Sequence, residues 1–241
     1  MPMKFRFRWI PFFAAVVVAA IGVSLGQWQS RRAAEKQTLE ARQQARELEA
    51  PVLLGQASLP PEDVEFRRVK VRGEFVPQWT LYLDNRPYNG AAGFYVLTPM
   101  KIAGSDVHVL VVRGWVKRDV ADRAKLPPVP TAPGEVEIEG VARRGTGHVL
   151  QLGEPGPLKR GAIVQNVGVP EFEKAAGLRM QPFVLEQVSD TRDGLVRDWP
   201  RPSTGVEKHQ GYAFQWYALA ATALIFFVVT GFRRGKERPT A

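Results

Sequence analysis

Trp9-Ile10-Pro11-Phe12-Phe13-Ala14-Ala15-Val16-Val17-Val18-Ala19-Ala20-Ile21-Gly22-Val23-Ser24-Leu25-Gly26 runs for 18 residues without a charge. As a helix rising 1.5 Å per residue it reaches about 27 Å, enough to cross the hydrocarbon core of a bilayer. A cleaved signal peptide is the competing reading, because Ser24-Leu25-Gly26 offers a small-x-small site after a basic start. Against cleavage, the run exceeds the usual signal-peptide core of about 7–15 residues, and Trp28 with Arg31 and Arg32 would make a poor mature start. An uncleaved transmembrane helix is expected over 9–27.

Tyr212 to Phe232 repeats the pattern over 21 uncharged residues, with Tyr212, Trp216 and Tyr217 at one end and Arg233 and Arg234 beyond the other. Aromatic side chains favour one membrane interface and arginines hold the other, so a second transmembrane helix is expected over 209–232.

Net charge of +9 and a pI near 10.0 raise the question of nucleic acid. Location answers it. Lys4, Arg6 and Arg8 stand alone in the tail 1–8, and Arg233, Arg234, Lys236 and Arg238 face only Glu237 in the tail 233–241. The chain between them holds 26 bases against 23 acids, which is no nucleic-acid footprint. Basic tails flanking apolar runs are the distribution of the positive-inside rule. Both termini are accordingly expected in the cytoplasm, with roughly 180 residues between the spans on the opposite side. Only eight residues precede the first span, which leaves no room for an Arg- and Ser-rich mitochondrial presequence.

The segment 28–50 reads as a helical stalk, since Arg31, Arg32, Glu35, Lys36, Glu40, Arg42, Arg46 and Glu47 alternate in sign on a polar background. Pro51 ends it. From there to residue 208 the period becomes two. Val69-Lys70-Val71-Arg72-Gly73-Glu74-Phe75 and Glu135-Val136-Glu137-Ile138-Glu139 are strands with one wet face. Further strands are expected at Trp79–Asp84, Gly93–Ile102, Val107–Val116, Val149–Leu152, Ala162–Val167 and Pro182–Val188, and a short helix at Pro170–Ala176. Asn89-Gly90 and the Pro127–Pro133 stretch are among the turn signals between them. The fold class that follows is a membrane protein with two transmembrane helices flanking one mainly antiparallel β domain with minor helix, built as an open barrel or sheet.

With no Cys in 241 residues, thiolate metal sites, disulfides and covalent c-type haem attachment are impossible. Phosphate-binding, zinc-protease and serine-hydrolase signatures are absent, and no enzymatic activity is expected. Of the three histidines, His108 lies within a Val and Leu strand and His148 follows a Gly-Thr-Gly turn. One isolated imidazole makes no metal site. His209 stands just outside the second span, on the helical face that carries Tyr212 and Trp216 one and two turns below. Two readings are open for it: an axial ligand to a haem iron, with the aromatics as an apolar wall, or an interfacial anchor among lipid headgroups. Arg113-Gly114-Trp115 closes a long apolar strand. Arg113 suits either a carboxylate or propionate or an ordinary strand-end ion pair. Trp115 suits either packing on the sheet core or a place on a partner surface shared with Arg113 and Gly114.

Five segments, in order and between two correctly placed spans, resemble the Surfeit locus protein 1 (Surf/Shy) family of cytochrome c oxidase assembly factors. They are Leu25-Gly26-Gln27-Trp28-Gln29 followed by Arg31 and Lys36; Arg68-Val69-Lys70-Val71-Arg72-Gly73-Glu74-Phe75; Gly93-Phe94-Tyr95-Val96-Leu97-Thr98-Pro99; Val112-Arg113-Gly114-Trp115-Val116; and His209-Gln210-Gly211-Tyr212-Ala213-Phe214-Gln215-Trp216-Tyr217. The last is similar to the family's His-x-x-Tyr-Ala-x-x-Trp pattern and departs from it at Gly211, where a side chain is usual. The resemblance implies a non-enzymatic membrane chaperone that helps place haem a into the haem-bearing catalytic subunit of cytochrome oxidase, in the bacterial plasma membrane, with its central domain periplasmic. It points to His209 as the haem iron ligand, with Tyr212 and Trp216 beside the macrocycle. Its implied partners are that subunit, membrane lipid and the haem a synthesis machinery. A scaffold that stabilises the nascent subunit without binding haem is the alternative.

Overall fold

The computed structural model describes residues 5, 7–122, 125–150, 156–199 and 205–233. The chain divides into two compact units, Met1–Arg42 with Arg201–Ala241, and Gln43–Pro200.

The first unit is a helical hairpin. Helix α1 covers Trp9–Leu48, so the expected span and stalk form one uninterrupted helix. Pro11 is harmless in its first turn, where the missing N–H has no intrahelical partner to lose. The helix stops two residues short of Pro51. The last helix of the chain, α4, covers Val206–Arg233 and runs through Gly211 without a break. Both helices are long and apolar enough to cross a membrane. Within the unit the sheltered positions include Ala15, Ala19, Gly22, Gly26, Gln29 and Ala33 of α1 and His209, Ala213, Trp216, Ala220, Ala223 and Phe227 of α4. Both sets step by alternating fours and threes, the 3.5-residue period that winds two helices about a common seam. Small residues line most of it because lipid provides no hydrophobic drive between helices and close packing must hold them. A Cβ on Gly22 would come within 2.9 Å of both the Ala220 Cβ and the Trp216 carbonyl oxygen. The large apolar side chains point the other way: Ile10, Phe214 and Phe226 are all strongly exposed.

The second unit is built on an eight-stranded sheet: β1 (Val52–Leu54), β2 (Arg68–Phe75), β3 (Leu81–Leu83), β4 (Gly93–Ile102), β5 (Val107–Lys117), β6 (Glu135–Arg143), β7 (Ile163–Val164) and β8 (Arg179–Gln187). Two helices join it, α2 (Pro61–Val64) and α3 (Val169–Ala176). Five strands close a ring. β2 pairs antiparallel with β6, β6 antiparallel with β8, β8 parallel with β5, β5 antiparallel with β4, and β4 returns antiparallel to β2 through Gly73↔Ile102 and Phe75↔Met100. Gly73 permits the closure, since a Cβ there would collide with the Lys101 carbonyl oxygen. The parallel β1–β2 and β3–β7 pairs extend the sheet at its edges.

Alternation along each strand sorts the apolar residues into separate buried clusters. Val69, Val71, Val109, Val111, Ile138, Phe183 and Leu185 belong to one buried cluster. Leu81, Leu83, Leu97, Leu110 and Val112 belong to another, which is capped by Val169 and Phe172 of α3. β5 contributes to both, so it is buried on its two faces, and this is why it reads as an almost continuous Val and Leu run. His108 lies in it, buried, with Nδ1 3.3 Å from the Arg179 carbonyl oxygen.

The strand expected at Val149–Leu152 is not formed at Val149 and Leu150. The Asn166 side chain instead accepts from the Val149 N–H at 2.8 Å and donates to its carbonyl at 2.9 Å, supplying both bonds a strand neighbour would give. Residues 151 and 152 lie outside the described residues. Strand β1 and helix α2 had no periodic signal because each is under five residues long.

Candidate functional site

His209 sits in the first turn of α4, where its backbone N–H donates to the Gly205 carbonyl at 3.3 Å. Its side chain is half-buried on the seam with α1. There Nδ1 lies 2.6 Å from Oε1 of Gln29, a residue 180 positions away in sequence. An amide oxygen only accepts, so the proton of a neutral imidazole is placed on Nδ1 and the lone pair on Nε2. Nε2 has no hydrogen-bond partner among the described residues. Trp216, seven residues on, is half-buried on the same seam. Tyr212 is 53% exposed, turned about 60° round the helix from His209. The hairpin thus brings His209 and Trp216 onto one seam and leaves Tyr212 on its open flank.

This donor set suits one kind of metal centre. Among the described residues no three His, Asp or Glu side chains gather as a metal cage. A single imidazole beside an aromatic flank would fit a haem, for which His209 would provide the ligand and Trp216 and Tyr212 apolar surface. Lys208, one residue before His209, is exposed.

Arg113-Gly114-Trp115, a partner surface on one of the two readings open for it, is an interior. Val96 of β4 pairs with Gly114 and Leu97 with Val112, which leaves Arg113 as an extra residue whose side chain turns inward. It is 1% exposed. Its Nη2 donates to Asp193 Oδ2 at 2.9 Å and to the Pro130 carbonyl at 2.8 Å, Nη1 donates to Thr131 Oγ1 at 2.7 Å, and the guanidinium lies 4.7 Å from the Phe75 ring centre. Burial works to raise the Asp193 carboxyl, but hydrogen bonds from Arg197 and Thr191 outweigh it and hold the pKa below the ordinary value. Burial lowers the Arg113 pKa, against the attraction of Asp193. A side chain at Gly114 would come within 2.7 Å of the Leu195 Cβ. The Trp115 indole is buried and donates from Nε1 to the Arg86 carbonyl at 2.7 Å, with the Tyr88 ring 5.2 Å away. That ring is carried by the Asn89-Gly90 turn, closed by the Tyr88↔Ala91 bridge. The motif locks a hairpin and a loop onto the barrel.

Gln29 and Asp193 escaped the sequence reading. Gln29 stood inside one quoted motif and His209 inside another, and nothing in a one-dimensional string says that the two motifs touch. Asp193 lies in a turn 80 residues from Arg113.

Taken together, two membrane-crossing helices in a tight hairpin and a closed β-barrel domain define a membrane-anchored β-domain protein with one imidazole poised at the end of its helix pair. The model of the SURF1 family matches residues 16–221, and the chain belongs to that family. A SURF1-like protein of Rickettsia felis is 36% identical over 225 residues, covering 89% of this chain and 93% of that protein. Surfeit locus protein 1 of Arabidopsis thaliana is 28% identical over 277 residues, 91% of this chain and 76% of that protein. A Saccharomyces cerevisiae protein named cytochrome oxidase assembly protein SHY1 is 31% identical over 101 residues, 41% of this chain and 26% of that protein.

Proposed function

We propose that the protein is a non-enzymatic assembly factor for cytochrome oxidase, which holds haem a through Nε2 of His209 and presents it to the haem-bearing catalytic subunit. Membership of the SURF1 family and the name of the yeast relative, a cytochrome oxidase assembly protein, support the oxidase assembly role. The observation that carries the haem reading is the His209 imidazole, fixed at Nδ1 by Gln29 on a half-buried seam, with no hydrogen-bond partner at Nε2 among the described residues. Haem, when bound, would supply the iron, and His209 would hold it through this nitrogen. Trp216 and Tyr212 offer apolar surface to the ring, and Lys208 stands exposed one residue away as a base for a propionate.

The charge split between tails and middle supports a hairpin with both termini cytoplasmic and the β domain in the periplasm of a bacterial plasma membrane. Rickettsia relatives that share most of the chain agree with a bacterial setting. At that orientation His209 lies at the outer interface, where a macrocycle sits in apolar surroundings and its propionates reach water. The test is the absorbance spectrum of full-length protein purified in detergent, before and after titration with haem, alongside His209→Ala. Retention of a His-type spectrum by wild type and its loss in the variant is the expected outcome. A colourless wild type that binds no haem and co-purifies with the oxidase subunit would establish a scaffold instead.

A further inference from the structure

On the reading that His209 meets haem iron, we propose that Gln29 is the residue that positions this ligand. Its side-chain oxygen takes the Nδ1 proton of His209 and thereby assigns Nε2 to iron. The contact of 2.6 Å is at the short end for a neutral N–H···O bond, and it links side chains on two different helices.

Packing two and three turns along the hairpin fixes this meeting. Gly22 lies against Ala220 and the Trp216 carbonyl, and Gly26 lies under the Tyr217 ring, where a Cβ would come within 2.6 Å of Cε1. Neither helix can slide by a turn without forcing one of these side chains into backbone. Gln29 follows Gly26 on the α1 seam by three residues, and His209 stands one heptad before Trp216 on the α4 seam, so the two polar side chains are the pair that the register delivers to each other. Each is flanked by alanine or glycine at the next seam position, Ala33 and Gly26 on one helix and Ala213 on the other. A polar residue in an otherwise small and apolar seam is costly unless it has a partner, and each of these two is the partner of the other.

The chemical consequence goes beyond packing. A histidine without an acceptor at Nδ1 turns about χ2 and offers iron either nitrogen, or neither. With Nδ1–H donated, one nitrogen is left and the ring plane is set. Donation also makes Nε2 a better electron donor, which favours the ferric state of a bound iron. A carboxylate at position 29 would draw the proton further, and an aliphatic side chain would release it.

The experiment uses full-length protein in detergent, titrated with hemin, with the bound iron then taken through a redox titration in wild type, Gln29→Leu, Gln29→Glu and His209→Ala. Gln29→Leu is expected to bind hemin about 10–100-fold more weakly, the usual cost of removing a ligand's hydrogen-bond partner, with a more positive midpoint potential. Gln29→Glu is expected to keep binding and to move the potential below that of wild type. His209→Ala is expected to lose the His-type spectrum altogether. Loss of the spectrum in His209→Ala together with unchanged affinity and potential in both Gln29 variants would overturn the role of Gln29 and leave the ligand standing. An unchanged spectrum in His209→Ala would overturn the ligand itself. Where Gln29→Leu does not fold, the potential of Gln29→Glu decides: a value equal to wild type counts against the proposal.

Discussion

The barrel and the helical hairpin solve opposite packing problems. In the barrel unit Phe183, Leu185, Val109 and Ile138 are buried, while Arg179, Lys117 and Glu137 of the same strands are exposed. In the hairpin Ala15, Gly22, Gly26 and Ala220 are buried and Ile10, Phe13, Ile225 and Phe226 face outward. Size and polarity are distributed inside out because the two units answer to different solvents. Water drives large apolar side chains together in the barrel, whereas lipid accepts them and leaves only close backbone approach to hold the helices. Polar groups follow the same division. The barrel buries a charged cluster, Arg113 with Asp193 and Arg197, satisfied by several hydrogen bonds. The hairpin seam holds a single side-chain pair, Gln29 with His209.

The sharpest way to break this comparison is to make one substitution in both places. Phe183→Ala in the barrel is expected to cost about 3–5 kcal/mol, while Phe226→Ala on the outward face of α4 stays within about 0.5 kcal/mol. Thermal unfolding of the two full-length variants in detergent measures both. Equal losses would mean that the outward face of α4 is packed against protein.

Nearly as large an effect is expected from Asp193→Ala, which strands Arg113 and Arg197 without their carboxylate in the barrel interior. Breaking a buried pair from one side costs about 3–5 kcal/mol. A double substitution with Arg113→Met should recover part of that loss in the same melts, because an uncompensated buried charge is then removed; no recovery would mean that the network contributes through its hydrogen bonds to the loops alone.

Smaller is the expected effect of Gly26→Ala, whose new methyl meets the Tyr217 ring. Overpacking of this kind costs about 1–3 kcal/mol. It should separate α1 from α4 and, by moving Gln29 away from His209, weaken hemin binding while barrel unfolding is unchanged. Cross-linking between cysteines introduced on the two helices checks the separation.

Acid provides the gentlest test. Burial depresses the His108 pKa below its ordinary 6.5. As pH falls through 6.5 the unfolded chain takes up this proton before the folded one does, so stability present above 6.5 declines below it. Asp193, also depressed, contributes stability above its unfolded value of 3.8 that is lost as pH drops through the lower folded value. Melting temperature followed from pH 7.5 downward should show a first decline below 6.5 that His108→Gln flattens, and a second below 4 that it leaves alone. A profile level from 7.5 to 5 in wild type would contradict the buried neutral imidazole.

Much of this architecture was legible in one dimension. Strands β2 and β6 announce themselves by alternation over five or more residues, β4 and β5 by apolar length between turn signals, and α3 by a Pro at its second residue, Pro170, and by the αL glycine that ends it, Gly177. The two long helices follow from their uncharged runs. His209 was legible as a candidate from its place beside the second run, and Trp216 from helical spacing. For Arg113 an ion pair was legible as one reading, but not its partner Asp193, which lies 80 residues away and meets it only in the fold.

Composition and period belong to the chain and are felt within a few residues, so the sequence by itself determined two membrane-crossing helices, a β-rich domain between them, and the absence of thiol chemistry. Closure of β2 onto β4, the parallel β5–β8 pair, the Arg113–Asp193 network and the Gln29–His209 contact were decided only by the tertiary structure. Each joins segments whose separation along the chain carries no local signal. Which groups meet is set by strand register and helix packing, and these are fixed by the whole set of side chains that must be buried together.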